Sequence, residues 1–412
     1  MPTVRFMQEE YFPRQKESLP HFTEKTGIEV TIYLLPVEPF WHDARRAFGD
    51  PPTWDLLVPD EVIVAEQIRH GTLEPLGRRA HREGIDLDDF LQAAIDRFRA
   101  SDVVYAIPYV AMSNVLIYRR DVLERYDLAV PTTWDQVRDT AAAAQAVLRR
   151  DGVEDVFGFT SRGLAGYGHN FWIVGSTLFP SWGWDWNRGA GQPPRVDEPA
   201  TVDAVAFYAA LLRESGPPDA AKMTFTDTHR LFAEGKAVFL LDTATELATM
   251  RRADPDGLGQ TAAMAIVPTG PTGRPEPGLY APAFCIPATS PVKDEAWQLL
   301  KYLASPDEVR KDAVDAGYAE PARLSVFAGD AYAAAYDADF RAVLRETRAY
   351  ARINRPLIPF GFELGDLVGA AAESVIAGEK PAATALRDAQ RAIDGMVWTA
   401  THELADGFRA AH

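Results

Sequence analysis

Apolar and polar positions follow a regular order in the opening part of the chain. An apolar run at Val4–Met7 is followed by an amphipathic segment, Tyr11–Thr26, which Gly27 ends. Every second position from Ile28 to Leu34 is apolar, and Trp54–Val58 is a further apolar run. Strict alternation is typical of a strand, and a glycine after a periodic segment is typical of a helix end. The pattern predicts strand, helix, strand, helix, strand, as in a parallel sheet with helical crossovers.

Polar residues stand where two of these predicted strands end. Gln8, Glu9 and Glu10 follow the first strand, and Asp60 follows the third. Ligands bind beyond the carboxyl ends of the strands in such sheets, so these residues are candidates for a cleft rim. The alternative is that they are solvated turn and cap residues, which for any one of them is the more common case.

The rest of the chain is predicted to mix strands with helices. The predicted strands are Val103–Pro108, Ser113–Tyr118, Val156–Thr160, Ala237–Leu241, Met264–Val267 and Gly278–Ile286. The predicted helices are Arg119–Tyr126, Asp135–Arg150, Thr201–Glu214 and Asp294–Ala304, with a mostly helical region after Arg323.

The stretch Phe159–Trp186 combines glycines with aromatic residues. It places Tyr167 between Gly166 and Gly168 and contains four of the nine tryptophans. Aromatic faces beside a glycine-rich backbone suit stacking against a small flat ligand or a sugar. The alternative is a glycine-rich loop that leads into a core helix with Trp172 buried. The run Trp182–Trp186 either lines a cleft mouth or packs beneath the loop.

Composition narrows the class of protein. A chain of 412 residues is long enough for two domains. The net charge of −17 disfavours nucleic acid and anionic membrane surfaces as partners. The single cysteine, Cys285, excludes an intrachain disulfide and is predicted to be a buried apolar residue. The N-terminus shows no signal peptide, so the protein is expected to be cytoplasmic or to begin at a mature N-terminus.

Motif searches favour a binding protein over an enzyme. The chain has no phosphate-binding loop, dinucleotide fingerprint, nucleophile elbow or histidine pair at metal-binding spacing. We therefore predict no cofactor, no metal and no catalytic residue. The alternative is a carbohydrate-active hydrolase or lyase that uses a carboxylate pair, which 59 acidic residues leave open.

Several segments in order resemble family 1 extracellular solute-binding proteins of ABC importers. The matching segments read AIPYVAMSNVLIYRRDVLERYDLAVPTTWDQV (106–137), FAEGKAVFLLD (232–242) and IPATSPVKDEAWQLLKYLASP (286–306). Within that family the chain is most similar to the polyol-binding branch, through RGLAGYGHN (162–170) and DTAT (242–245). It departs from the branch at Tyr167 and His169, where tryptophan and an acidic residue are common, and at Tyr280 and Pro282.

The resemblance implies an α/β, two-lobe periplasmic-binding-protein-like fold of type II that closes on its ligand about a hinge. Lobe one would comprise residues 1–110 and 283–322, and lobe two residues 111–282 and 323–412. The implied function is capture of a sugar or sugar alcohol outside the membrane, by a monomer, for delivery to the membrane-embedded permease of an ABC transporter. Arg355 alternatively pairs with a carboxylate and holds lobe two together. The implied ligand-binding residues are Gln8, Glu9, Glu10, Asp60, Tyr109, Arg162, Gly166, Tyr167, Trp172, Asp242, Tyr280, Phe284, Tyr318, Arg355 and Glu363.

Overall fold

The computed structural model describes residues 2–167, 169–186, 194–355 and 360–410. The strands are β1 (Thr3–Glu9), β2 (Glu29–Leu35), β3 (Leu56–Leu57), β4 (Arg99–Ala100), β5 (Val103–Val104), β6 (Ile107–Pro108), β7 (Met112–Arg119), β8 (Phe157–Thr160), β9 (Ala237–Thr243), β10 (Ala262–Ile266), β11 (Leu279–Tyr280) and β12 (Ala283–Phe284). The α-helices are α1 (Gln15–Thr26), α2 (Val37–Arg46), α3 (Glu61–His70), α4 (Gly77–Arg82), α5 (Gln92–Ile95), α6 (Arg120–Arg125), α7 (Trp134–Arg150), α8 (His169–Ile173), α9 (Phe179–Ser181), α10 (Pro199–Ser215), α11 (Phe225–Ala233), α12 (Ala244–Ala253), α13 (Leu258–Thr261), α14 (Lys293–Leu303), α15 (Pro306–Arg310), α16 (Leu324–Phe327), α17 (Asp330–Ala335), α18 (Ala338–Tyr350), α19 (Gly361–Ile376) and α20 (Ala382–Ala410).

A parallel sheet of order β2-β1-β3 forms the centre of the first lobe. This confirms the predicted alternation of strands and helices in the opening part of the chain. The third strand is shorter than predicted, because only Leu56 and Leu57 pair with β1. The ends of β1 and β3 lie at one edge of the sheet, next to the first turn of α3.

A second sheet of order β10-β7-β9-β8 forms the centre of the second lobe, and β11 also pairs with β7. β7 is its longest strand and runs antiparallel to both β9 and β10. β8 runs parallel to β9, which brings the carboxyl ends of these two strands together. Those ends carry Arg162 and Asp242 to the same side of the sheet.

Two segments predicted as single strands are each divided in two. Val103–Pro108 forms β5, which pairs with β4, and then β6, which pairs with β12. Gly278–Ile286 forms β11 and β12 on either side of Pro282, which has no N–H to donate to a strand ladder. Gly278–Ile286 changes partners because it passes from the second sheet, where β11 pairs with β7, to the first lobe, whereas both halves of Val103–Pro108 pack in the first-lobe core.

The apolar core consists of two large clusters and smaller ones beside them. One cluster gathers residues from Val4 to Met112, from Leu279 to Ala322, and Ala351 with Ile353. The other gathers residues from Leu116 to Val267 and from Leu364 to Ile393. This division lies close to the predicted lobe boundaries, which stay a prediction. Cys285 lies fully buried in the first cluster, as predicted.

Glu320 joins the segments that pass between the lobes. Its buried carboxylate accepts from the Ser113 backbone N–H at 2.7 Å and from the Thr245 N–H at 3.0 Å. These bonds tie the start of β7 and the start of α12 to the chain near residue 320. Every helix in the described parts of the chain is too short or too polar to cross a membrane.

Candidate functional site

A cavity opens between the two lobes, beyond the carboxyl ends of β1 and β3. It has about 700 Å³ of atom-free space, counted to its open mouth. Its lining residues are Glu9, Tyr11, Phe12, Val37, Trp41, Asp60, Met112, Arg162, Tyr167, His169, Trp172, Phe225, Thr243, Glu246, Tyr280, Arg355 and Phe362. The lining therefore combines aromatic rings with a small number of charged groups, which is the composition of a small-molecule site.

One group of charges sits where α3 begins. Asp60 caps this helix, because its Oδ1 accepts from the Val62 N–H at 2.5 Å. Its Oδ2 lies 2.5 Å from Arg355 Nη2, which also contacts Glu61. Burial raises the pKa of Glu61 to about 7, against the lowering effect of Arg355. Burial raises the pKa of Asp60 in the same way.

These charges retain unused hydrogen-bonding capacity. Asp60 Oδ2, Glu61 Oε1 and Arg355 Nε are buried and have no aligned hydrogen-bond partner within the described parts of the chain. The ionic contacts of Arg355 are therefore close but not well directed. Buried polar atoms without partners are uncommon in folded proteins, so these atoms beside the cavity are candidates for ligand contacts.

A second group of charges lies at the carboxyl ends of β8 and β9. Arg162 Nε donates to Asp242 Oδ2 at 2.9 Å, and its Nη2 donates to Oδ1 at 2.6 Å. Asp242 Oδ1 also accepts from the Thr243 N–H at 2.9 Å. Burial would raise the pKa of Asp242, but Arg162 and His229 outweigh it and hold that pKa well below its usual range. Arg162 faces the cavity, and Asp242 stands one layer behind it.

His229 lies between two carboxylates behind this wall. Its Nε2 is 3.0 Å from Asp242 Oδ2, and its Nδ1 is 2.8 Å from Glu246 Oε2. Burial lowers the pKa of His229, but the two carboxylates outweigh burial and raise it to about 9. The three side chains could offer atoms to a metal ion within 4.8 Å of one another. Arg162 occupies both oxygens of Asp242, however, so the observed arrangement is a chain of ion pairs.

Aromatic rings form the remaining walls. Trp172 meets Tyr280 edge to face with centroids 5.9 Å apart, and the Arg355 guanidinium lies 5.7 Å from the Trp172 ring centre. Trp41 and Phe362, one from each lobe, approach to 5.6 Å. Trp172 is only 4% exposed and packs in the second-lobe core, while its ring also borders the cavity.

Glu9 presents a carboxylate to the cavity without a protein partner. Its side chain has no ion pair or hydrogen bond to any residue of the described ranges. Burial raises its pKa to about 7, the Arg162 charge opposes this, and Asp60 and Glu10 add to it. At neutral pH this group can therefore either accept or donate a hydrogen bond.

The structure brings seven of the fifteen predicted ligand-binding residues together on the wall of the cavity. These seven are Glu9, Asp60, Arg162, Tyr167, Trp172, Tyr280 and Arg355. Gly166 adjoins them and has a φ of +80°, which favours glycine and shapes the turn before Tyr167. Asp242 lies behind Arg162. Whether these residues bind a ligand remains a prediction.

The other predicted residues lie away from the wall. Tyr109 packs against Phe12 and Phe284 with centroids 5.3 and 5.5 Å away, which buries it in the first-lobe core. Tyr318 also packs on Phe12. Tyr109 and Phe284 lie beside and within the short β6–β12 pair, Tyr318 lies in an irregular segment, and all three side chains are buried in the first-lobe core. The remaining three are Gln8, which is fully buried, Glu10, which is exposed, and Glu363, which pairs with Arg45.

Arg355 pairs with carboxylates, as the alternative prediction had it, but it does not hold lobe two together. It pairs with Asp60 and Glu61, which belong to the first lobe, and not with a carboxylate of lobe two. The chain before it packs on the first lobe through Ala351 and Ile353. Arg355 therefore ties this segment to lobe one.

The tryptophan run packs against the helical segments that follow the loop. Trp184 and Trp186 are buried in the second-lobe core, and Trp186 Nε1 donates to the Gly175 carbonyl at 3.0 Å. The two indoles meet edge to face at 4.6 Å. The alternative that the run lines the cleft mouth is therefore wrong for these two residues.

Sequence reasoning missed other parts of the wall. Tyr11 directly follows the predicted strand-end residues, so the same argument could have included it. Four other lining residues lie in helices, and no pattern in the neighbouring sequence indicates that they face a cavity: Trp41, Phe225, Glu246 and Phe362. Their positions depend on how the two lobes face each other.

Comparison with known proteins places this geometry in a family. The model for the bacterial extracellular solute-binding protein family matches residues 19–339. A mannitol-binding protein of Pseudomonas aeruginosa is 29% identical over 212 residues, which are 51% of this chain and 47% of that protein. The match thus spans about half the length of that relative.

Two solved structures share the fold along nearly the whole chain. An ABC transporter solute-binding protein from Agrobacterium vitis with bound D-mannitol has a TM-score of 0.84 at 22% identity, covering 97% of this chain and 99% of that one. A solute-binding protein from Agrobacterium radiobacter in complex with ribitol has a TM-score of 0.85 at 22% identity, covering 96% and 98%. With the predicted α/β, two-lobe type II fold thus confirmed and the family model matching most of the chain, this protein belongs to the bacterial extracellular solute-binding protein family.

Proposed function

We propose that the protein captures a sugar alcohol or a sugar of similar size between its lobes and delivers it to the permease of an ABC importer. The observation that carries this proposal is the set of buried carboxylate and guanidinium atoms without aligned partners beside the cavity. A hydroxyl group donates one hydrogen bond and accepts others, so an acyclic polyol can serve both kinds of group along its length. The mannitol-binding relative and the neighbours with bound mannitol and ribitol support this ligand class.

The proposed ligand contacts are divided between polar and apolar walls. Glu9, Asp60 and Arg355 would bind hydroxyls on the first-lobe side, and Arg162 would bind them from the second lobe. Charge-assisted hydrogen bonds are stronger than neutral ones, and they gain further when closure excludes water. Trp172 and Tyr280 would pack on the C–H faces of the ligand.

The geometry favours binding over hydrolysis. A carbohydrate-cleaving enzyme needs one carboxylic acid to donate a proton and one carboxylate to act as base or nucleophile. Of the carboxylates that line the cavity, Arg355 contacts Asp60 and His229 contacts Glu246, which leaves Glu9 alone without a cationic partner among the described residues. These pairings suit fixed recognition of hydroxyls. We infer that the protein is not an enzyme, that it acts at the periplasmic or extracellular face, and that it works as a monomer without a nucleic-acid partner.

Isothermal titration calorimetry with mannitol, sorbitol, ribitol, glucose and maltose tests the proposal. We expect at least one alditol to bind with a Kd in the micromolar range or tighter, to raise Tm by mass action, and to be recovered unchanged. Binding of maltose alone would move the ligand class to oligosaccharides. Consumption of a ligand during the titration, or the absence of any binding, would contradict the proposal.

A further inference from the structure

Tyr11 of the first lobe reaches across the cavity to Glu246 of the second. It lies in the turn after β1, and its hydroxyl donates to Glu246 Oε1. Its ring also meets Phe225 edge to face with centroids 5.9 Å apart. A hydroxyl–carboxylate hydrogen bond spans less than about 3 Å, so separation of the lobes breaks this contact.

A buried imidazole holds Glu246 in position for this contact. His229 Nδ1 lies 2.8 Å from Glu246 Oε2, which leaves Oε1 directed toward Tyr11. The other ring nitrogen lies 3.0 Å from Asp242 Oδ2, an ionic contact that is not aligned as a hydrogen bond, and Asp242 holds the cavity-facing Arg162. The His229 side chain is 14% exposed, so packing as well as charge fixes the ring. One buried cation thus contacts both the inter-lobe carboxylate and the carboxylate behind Arg162.

The charges in this series of ion pairs balance within the second lobe. Arg162 and protonated His229 supply two positive charges, and Asp242 and Glu246 supply two negative ones. These groups come from four elements: the end of β8, α11, β9 and α12. Tyr11 adds a neutral donor from lobe one. Because His229 occupies Oε2, opening of the lobes leaves Glu246 Oε1 to solvent.

We propose that Tyr11 and Glu246 form a latch that stabilises the closed lobes, and that His229 is the positioning residue that couples this latch to Arg162. The latch contact is made by the protein itself, so it favours closure even before ligand contributes. Its loss speeds ligand release more than it slows ligand capture, because capture begins from the open form. The ligand-bound part of this inference rests on the proposed function, whereas the ligand-free part does not.

Tyr11→Phe tests the latch, since it removes the hydroxyl and keeps the ring. The matched control is Tyr126→Phe, whose hydroxyl donates to the surface carboxylate of Asp151 at 2.7 Å. Glu24→Cys and Arg150→Cys provide fluorescence-labelling positions on the two lobes, with side chains 83% and 73% exposed. Energy transfer between the labels reports the ratio of closed to open protein with and without mannitol.

We expect Tyr11→Phe to lower the closed-to-open ratio and to raise the mannitol dissociation rate constant about tenfold, the size expected for one hydrogen bond to a charged group. The association rate constant should change less than about twofold, because affinity differences between variants lie mostly in dissociation. Tyr126→Phe should change none of these values. An unchanged closed-to-open ratio and dissociation rate in Tyr11→Phe would refute the latch.

His229→Gln tests the coupling through a double-mutant cycle with Tyr11→Phe. We expect the two substitutions together to speed dissociation by clearly less than the product of their separate effects, because each disrupts the same contact. Strictly multiplicative effects would refute the positioning role of His229. If wild-type protein binds none of the alditols and sugars titrated above, the proposed function is wrong, and the ligand-free closed-to-open ratio still decides the latch. A ligand-free chain without any closed population would also count against it.

Discussion

Arg162 faces the cavity with two of its nitrogens already bound by Asp242. A fixed guanidinium loses little freedom when it meets a ligand, so its interaction with a hydroxyl is not offset by the ordering of a flexible side chain. Asp242 is fixed in turn by His229 and by the Thr243 N–H. The position of Arg162, which would contact the ligand, therefore depends on Asp242 and His229, which would not.

Asp242→Asn should weaken both ligand binding and the folded state. The substitution leaves Arg162 and His229 buried with one negative charge fewer, and breaking a buried ion pair costs about 3 kcal/mol of unfolding free energy. Urea unfolding without ligand measures this loss, and titration with mannitol measures the loss of affinity. Asp388→Asn is the control, because Asp388 pairs with Lys380 at the surface and should leave both values unchanged. Equal stability of Asp242→Asn and wild type would show that the buried pair does not stabilise the fold.

At the scale of residues, sequence predicted the site best where a strand end fixed the position. Glu9 ends β1 and Asp60 follows β3, and both line the cavity. The family resemblance supplied Arg162, Trp172 and others that periodicity alone could not place. Tyr109 and Phe284 could not be distinguished from lining residues, because the direction of a side chain in a short, irregular strand depends on its pairing partners.

The loop before α8 owes its position to close contacts with two neighbouring helical regions. Asn170 Nδ2 donates to the carbonyls of Gly163 and Gly369 at 2.9 and 2.8 Å. The Ala165 N–H donates to Glu373 Oε2 at 2.8 Å, which joins the loop to α19. The loop carries Arg162 and Tyr167, so α19 holds one wall of the cavity in place.

Gly163→Ala should disturb this element. An added Cβ would lie 1.8 Å from the Ala220 carbonyl oxygen, so the backbone has to move. We expect a loss of about 2 kcal/mol in unfolding free energy, as for other overpacked sites, and weaker mannitol binding through displacement of Arg162. Differential scanning calorimetry and titration measure the two effects.

Gly395→Ala provides the contrast for that substitution. Gly395 lies within α20 and would place a new Cβ in open space. Alanine favours a helix over glycine, so this variant should be as stable as wild type or slightly more so. A Gly163→Ala protein that matches Gly395→Ala in stability and affinity would show that the loop tolerates displacement.

At the scale of elements, strict alternation predicted β2 well because one face of it packs and the other is solvated. The helices α7, α10 and α14 lie close to their predicted bounds, since each has a clear apolar face and a recognisable start or end. The divided strands β5–β6 and β11–β12 were missed. Their apolar runs are continuous in sequence, and a change of pairing partner partway along each run divides it.

At the scale of the whole molecule, the lobes meet through contacts that no local pattern encodes. Arg45 of α2 pairs with Glu363 of α19, and Trp41 packs on Phe362. Together with Tyr11 and Glu246, these contacts describe a closed arrangement. Each lobe also contains segments distant in sequence, so the assembly could be inferred from family resemblance but not from periodicity.

The pH dependence of stability follows from groups buried throughout both lobes. The pKa of His229 is raised from 6.5 to about 9, so its contribution to stability is complete below pH 6.5 and is lost as pH rises through 9. Burial raises the pKa of Glu61 and Glu320 to about 7, so the folded protein also releases these protons later than the unfolded chain. These shifts make the folded protein bind more protons in this range, which lowers stability as pH rises. Burial and Arg162 lower the pKa of His169 to about 4, which acts the other way up to about pH 6.5, but this is one group against Glu61, Glu320 and His229.

We therefore expect Tm without ligand to decrease steadily from pH 5.5 to pH 9.5 in differential scanning fluorimetry, a range set by these pKa values. In His229→Gln the decrease above pH 6.5 should be shallower, because the group that releases its proton there is absent. His21→Gln is the control, since His21 is 65% exposed and its loss should leave the slope unchanged. A Tm that rises with pH above 6.5, or parallel slopes for His229→Gln and wild type, would mean that His229 is not held as a cation between Asp242 and Glu246.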